Sequence, residues 1–326
     1  MALSPARNRC TVVALTREVK QWSAERLFDR STSRVEGRSY SYGCAFGIRD
    51  GSSILKIHPT ALVSSSARLG ENVEIGAFAI IEDHVFVGDN CTIQAHAILT
   101  NRVSLGARNF VGYGSVIGAA PQDFAHNSSI SSEVVIGDDN TFREHVTIHR
   151  GTTEGSATRV GDGNFLMTGV HLGHNVSIGD RNVMANNCLL AGHVQVGSEV
   201  VFGGGAVFHQ FLRVGNMVMI RGGTAWSKDV PPYTVGAVIN NVCGVNSLGM
   251  RRKGLTPAAR TDVRRAYNLL YRSGLNVTQA IEQGRETKWS PEGATFMGFV
   301  GQRSRRGLCG GMGSASSRRH PVERND

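Results

Sequence analysis

The sequence predicts an all-β parallel β-helix of hexapeptide repeats, followed by a small α-helical C-terminal domain. Three observations carry this reading. First, an aliphatic residue followed by glycine recurs at Leu69-Gly70, Ile75-Gly76, Val87-Gly88, Leu105-Gly106, Val111-Gly112 and Ile117-Gly118, always at intervals that are multiples of six. Second, a further series at Ile136-Gly137, Val160-Gly161, Ile178-Gly179, Val196-Gly197 and Val214-Gly215 keeps the same rule, with intervals of 24, 18, 18 and 18. Third, the repeat fades after Ile220-Arg-Gly-Gly223 and gives way to helical spacing. In this reading each hexapeptide makes one short strand and one turn. The aliphatic residue points inward, and the glycine lets the chain turn without Cβ strain. Three faces make an 18-residue coil, and stacked coils bury each other's aliphatic rows.

The elements follow in chain order. Residues 1–53 lack the repeat, and their many arginines are interspersed with Glu18, Glu25, Asp29 and Glu36. Transit peptides are poor in acids, and no apolar signal core is present, so this segment reads as a disordered extension. The β-helix is expected over 54–235. Gly118 and Gly137 are 19 residues apart, which breaks the phase by one and places an inserted loop near 119–130. Val230-Pro-Pro-Tyr-Thr234 is a rigid exit, because two prolines disfavour helix and central strand alike. Residues 236–309 form the helical domain. Thr256-Pro257 is an N-cap followed by proline at the first helical position, Gly274 is a stop, and a second helix begins near Thr278. Residues 310–326 read as a disordered tail.

Composition narrows the function. Six scattered cysteines without a C-x-x-C pair argue against a disulfide framework or a cysteine zinc site, and fit a reducing compartment. No apolar run reaches the length of a membrane span. The net charge of +9 admits nucleic acid, anionic lipid or an acidic protein as partner. No recognised nucleic-acid module accompanies it, so nucleic acid is the weakest of these.

The chemistry is concentrated in Met167–Gly179, where His171 and His174 interrupt the repeat. Residues 18 apart stack on adjacent coils, so Asn175, His193 and Phe211 share one column and His174, Gly192 and Gln210 the next. Several polar groups thus converge on one edge. Histidine suits general-base work because its ordinary pKa lies near neutrality.

Thr147-Ile-His-Arg-Gly151, His171-Leu-Gly-His174, Leu190-Ala-Gly-His193, Val207-Phe-His-Gln-Phe211, Asp229-Val-Pro-Pro-Tyr233 and Tyr271-Arg-Ser-Gly274 together resemble a known family. It is that of the acyl-carrier-protein-dependent UDP-N-acetylglucosamine O-acyltransferases of lipid A biosynthesis. The likeness runs from about Ile57 to Cys309, and Gln302-Arg-Ser-Arg-Arg-Gly-Leu308 resembles the family's C-terminus. The resemblance implies a left-handed β-helix, a cytoplasmic homotrimer and an active site between subunits. It implies transfer of a 3-hydroxyacyl group from acyl carrier protein to the sugar 3-hydroxyl, the first step of lipid A synthesis. No metal and no cofactor are required, the carrier-protein thioester being a co-substrate.

Residue by residue, the resemblance makes His174 the general base and the Gly192 N–H the oxyanion donor. It places His171, His193, His209 and Gln210 against the donor or nucleotide sugar. Gln122 and Asp123 match sugar-contacting positions, and Asn246 and Arg252 nucleotide-binding ones. Arg221 stands at the acyl-chain ruler, where a large inward side chain would shorten the pocket. The family usually has aspartate after the base; here Asn175 can orient the imidazole but brings no charge. That implies a weaker base, or an acceptor that needs less help, such as an amine. The basic run Arg251-Arg252-Lys253, with Arg260, Arg264, Arg265 and Arg272, is an expected docking face for the acidic carrier protein. Alternatives are a related transferase with an amino-sugar acceptor or coenzyme A donor, and a metal-dependent hydratase using histidines.

Overall fold

The computed structural model describes residues 55–312 in full, preceded by two antiparallel ribbons, Arg34–Val35 with Arg38–Ser39 and Ile48–Arg49 with Ser53–Ile54. The rest of the 1–53 extension and the tail from 313 lie outside the described residues. The chain is a left-handed parallel β-helix with a helical C-terminal domain. Two-residue strands stack into three parallel sheets of eight, nine and twelve strands; the twelve-stranded one continues into the C-terminal ribbon. The aliphatic residue of each repeat fills the axis: Ile75, Val87, Leu105, Ile117, Ile136, Ile178 and Val196 are all buried.

The repeat glycines act differently from the sequence expectation. Except at Gly118, they do not adopt positive φ. The left-handed residue sits two positions later, for example Asn72, Asn90, Arg108, Arg181 and Glu199, with φ between 53° and 62°. Glycine is required for space. A Cβ on Gly88 would lie 2.6 Å from the carbonyl carbon of Gly106 on the next coil. A Cβ on Gly161 would collide with Oδ1 of Asp180. That carboxylate crosses over the glycine to accept the Asp162 N–H at 2.9 Å. The arrangement repeats along the corner, with Asp89, Asp138, Asp162, Ser198 and Asn216 each accepting an N–H from a neighbouring coil. A second ladder is internal: Asn109, Asn140, Asn164 and Asn182 are fully buried and hydrogen-bond in sequence, ending on the Val200 N–H. Backbone groups that would be orphaned at the corners are thereby paired.

Two coils are longer than 18 residues. Val103 pairs with Val134 and Val116 with Thr147, 31 positions on, so the loop between Ala119 and Glu133 holds thirteen extra residues. Thr141 pairs with Phe165, 24 positions on. This second insertion, of six residues within 150–156, keeps the phase, so the multiple-of-six rule concealed it.

The C-terminal boundary also differs from expectation. Residues 236–246 are not helical: Thr234–Val238 and Asn241–Val245 form an antiparallel ribbon. Helices follow as α1 (Ser247–Arg252), α2 (Pro257–Tyr271), α3 (Val277–Glu286) and α4 (Pro291–Gly301). Thr256 and Asn276 cap α2 and α3 as their residue types dictate. Ser290-Pro291 starts α4 by the same device as Thr256-Pro257. Gly310–Gly311 is not tail but a strand paired with Asn241 and Val242. Among the described residues, no helix is long and apolar enough to cross a membrane.

The two roles of glycine separate experimentally. Gly161→Ala, at ordinary φ but without room, should lower unfolding stability by about 3 kcal/mol. Gly155→Ala, at φ +68° with nothing near its Cβ, should cost only about 1 kcal/mol. Urea unfolding of both variants gives the order; the reverse order would restore the turn-strain account.

Candidate active site

The strand His171–Leu172 ends at Gly173, and the corner Gly173-His174-Asn175 turns the chain. Gly173 has no Cβ because the Gly192 nitrogen of the next coil would lie 2.9 Å from it. Gly192 in turn has none because the His174 ring lies over it, its Nε2 2.5 Å from where a Cβ would stand. The column deduced from 18-residue stacking is therefore real, and it presses the imidazole onto a bare backbone. The buried Gly192 N–H makes no hydrogen bond to another group among the described residues.

Asn175 fixes the tautomer of His174. Its Oδ1 accepts the Thr152 backbone N–H at 3.1 Å and the Thr152 hydroxyl at 2.9 Å. A backbone N–H can only donate, so this atom is the carbonyl oxygen. His174 Nδ1 lies 3.0 Å from the same oxygen and must carry the proton. The lone pair is left on Nε2. Asn175 is held by its own N–H, which donates to Thr158 Oγ1 at 2.8 Å, while that hydroxyl donates to the His149 carbonyl at 2.6 Å. Thr152 lies in the concealed six-residue insertion.

Gln122, His171, His174, Gly192, His209 and Gln210 line one cavity of about 570 Å³. His149, Gly173, Leu189, Ala191, Val207, Phe208 and Ala225 complete its wall. His193 faces an adjoining cavity of about 330 Å³ with Gln195, Phe211, Arg213, Arg303 and Arg305. The rings meet in two groups, His149 with His171 and His174 with His193 and Phe211. His149 and His171 meet edge-on at 5.0 Å, and His174 and His193 at 5.2 Å. His193 stacks on Phe211 at 4.6 Å, and Phe211 lies under the Arg305 guanidinium at 4.8 Å. Burial pushes the His149 pKa down to about 4, helped by the neighbouring His171 and His174. Burial, then His174, lowers His171 as well, and His193 is lowered by burial, His174 and Arg305. These three imidazoles are consequently held neutral.

Other residues from the sequence reading lie elsewhere. Asp123 is in the inserted loop; its carboxylate accepts the Ala125 N–H at 2.9 Å and, without lining the cavity, lies close enough to His193 to favour that ring's charged form. Arg221 is exposed and off the cavity, so it does not fill an acyl pocket of its own chain. Asn246 caps α1 through Oδ1 and donates from Nδ2 to the Met217 carbonyl at 2.9 Å. Arg252 is exposed in the last turn of α1. The fold does not bring Asn246 or Arg252 to the cavity of the same chain. Sequence reasoning missed His149, Thr152, Arg305 and Arg306. The 24-residue interval was the available signal for Thr152, and the motif Thr147–Gly151 for His149. Among the described residues, no three His, Cys, Asp or Glu side chains are grouped to hold a metal ion.

Comparison with known proteins agrees with this geometry. Residues 229–309 match the model of UDP-N-acetylglucosamine O-acyltransferase domain 2, and 157–192 the bacterial transferase hexapeptide. The acyl-[acyl-carrier-protein]–UDP-N-acetylglucosamine O-acyltransferase of Syntrophobacter fumaroxidans is 41% identical over 258 residues, 78% of this chain and 99% of that protein. The solved UDP-N-acetylglucosamine acyltransferase of Francisella novicida is 34% identical, with a TM-score of 0.77 over 82% of this chain and 100% of that one. The enzyme from Campylobacter jejuni is 32% identical, with a TM-score of 0.73 over 78% of this chain and 99% of that one. With the His174–Asn175 corner, the bare Gly192 and the helical C-terminal domain all in place, the chain belongs to the UDP-N-acetylglucosamine O-acyltransferase family.

Proposed function

We propose that this chain transfers a 3-hydroxyacyl group from acyl carrier protein to the 3-hydroxyl of UDP-N-acetylglucosamine, the step that opens lipid A synthesis, in the cytoplasm. The observation that carries the mechanism is the tautomer of His174, fixed by Asn175 Oδ1 at 3.0 Å. His174 Nε2 takes the proton of the sugar hydroxyl as its oxygen attacks the thioester carbonyl. The Gly192 N–H donates to the oxygen on which negative charge develops. The imidazolium returns its proton to the leaving thiolate. No cofactor takes part. Asn175 keeps the imidazole aligned but offers no charge to the imidazolium.

An acyl chain has a track. Leu189, Val207 and Ala225 pair in line above His171 on successive coils, all facing outward. Leu189 and Val207 are 40% and 37% exposed, and with Ala225 they make an apolar stripe about 10 Å long at the ordinary strand spacing. An exposed stripe beside an open cavity, with Phe124 fully exposed on the inserted loop, supports a homotrimer in which a neighbouring subunit completes the site. Gln122, Asp123, Asn246 and Arg252 then serve the nucleotide sugar across that interface. Arg251 and Arg252, exposed at the end of α1, form part of the docking face for the carrier protein.

Steady-state assays with UDP-N-acetylglucosamine and 3-hydroxyacyl carrier proteins test this reading. His174→Ala should lower kcat by about a thousandfold. Asn175→Ala should cost a similar factor by freeing the tautomer, whereas Asn175→Asp should raise kcat about tenfold by adding charge beside the imidazolium. No gain from Asn175→Asp would remove the weak-base account. Across a series of acyl lengths, Ala225→Phe should shift preference to shorter chains and Arg221→Ala should leave the profile unchanged. Stability should also follow pH. Folding holds His149 neutral while the unfolded chain protonates near 6.5, so stability is lost as pH falls from about 6.5 towards 4. Urea midpoints across that window should fall less in His149→Gln than in the parent; equal slopes would discount His149.

A further inference from the structure

The C-terminal arm Gln302–Cys309 plays no part in the mechanism above, yet it lies against the catalytic edge. Its path is pinned. Arg213 donates from Nε to the buried Asp229 carboxylate at 2.8 Å and from a terminal nitrogen to Gln302 Oε1 at 2.7 Å. The Asp229 N–H donates to the Gly307 carbonyl and the Cys309 N–H to the Asp229 carbonyl, both at 2.9 Å. Between these anchors, Ser304 Oγ accepts the N–H groups of Arg306 and Gly307 at 3.1 and 2.7 Å. The turn so formed sets Arg306 over the corner His209-Gln210.

There the guanidinium forks. Its Nε donates to the Gln210 carbonyl at 3.1 Å, and a terminal nitrogen lies 2.8 Å from His209 Nδ1. A guanidinium has donors only and stays protonated. Nδ1 must therefore present its lone pair, and the neutral ring carries its proton on Nε2. The rival partner for an Nδ1 proton is the Gln210 carbonyl oxygen, 3.4 Å away and already engaged by Arg306. We propose that Arg306 is a positioning residue that locks His209 in the Nε2–H tautomer, making it a fixed hydrogen-bond donor in the wall of the acyl-transfer cavity.

Two imidazoles of one cavity are then set in opposite senses. His174 is held by Asn175 with its lone pair on Nε2, and His209 is held by Arg306 with its proton there. The ligand atom His209 recognises is an oxygen acceptor, either a carbonyl of the thioester donor or an oxygen of the nucleotide sugar. The kinetic consequence rests on the acyltransferase reading; the tautomer does not.

Imidazole nitrogen–proton correlation spectra of the full chain, with His209 assigned by its loss in His209→Gln, read the tautomer directly. The wild type should show His209 protonated on Nε2. Arg306→Met should put His209 into tautomeric exchange and raise KM for one of the two substrates about tenfold at an unchanged thermal midpoint. Arg306→Lys, which still donates, should retain the Nε2–H signature and most of the affinity. Whichever substrate's KM rises identifies the acceptor oxygen. A wild-type ring protonated on Nδ1, or an Arg306→Met protein with unaltered spectrum and kinetics, overturns the proposal. Failure of the wild type to turn over either substrate would instead refute the acyltransferase reading, and the spectra would still decide the tautomer.

Discussion

Each coil completes the turns of its neighbour, and the rest of the structure depends on that contact. A corner in an isolated coil would leave backbone N–H groups without partners. Here Asp162, Asp180, Ser198 and Asn216 reach across one coil to accept them. The reach passes over a glycine, which is why Gly161 and Gly197 have no room for a side chain. The buried asparagine ladder repeats the principle inside the helix. Stability in such a stack is a property of neighbouring coils, not of any coil alone.

The same contact builds the proposed catalytic corner. His174 lies over Gly192 as Asp180 lies over Gly161, a side chain occupying the space that glycine leaves. At an ordinary corner the crossing side chain satisfies backbone; at this one it brings an imidazole against an unengaged N–H. The scaffold thus positions the proposed base and the proposed oxyanion donor at one corner. Loops contribute orientation, through Thr152 on Asn175 and Arg306 on His209, and one wall residue, Gln122.

The repeat and the polar edge were legible in the sequence because both obey fixed spacing. Aliphatic–glycine pairs gave the coil length, and adding 18 placed Gly192 and Gln210 with His174. What escaped had no periodic signature. The six-residue insertion within 150–156 equals one hexapeptide and is silent to phase arithmetic. Arg306 reaches His209 only because the chain returns across 97 positions after four helices. The purpose of the glycines was misread because a lone coil explains them by turning, while their cause lies in the coil beyond. Arg221 is given the ruler position by resemblance alone, and in the single chain it lies exposed and off the cavity. Gly310 and Gly311 read as tail by composition, and only the edge offered by Asn241 and Val242 makes them strand.

The two insertions differ in arithmetic, and this bears on how such a chain can change its length. Thirteen residues move the hexapeptide register by one, and the pairing absorbs the slip with an irregularity between Ile117 and Ala119. Six residues move it not at all, and the strands beyond continue as if nothing had been added. Both extrusions emerge near the acyl-transfer edge, from successive turns of the helix. A gain or loss of sequence confined to these corners redraws the rim of the active site and leaves every aliphatic row on its axis. The architecture therefore separates the rim of the proposed site from the rows that keep the protein folded, and only the rim is open to variation in length.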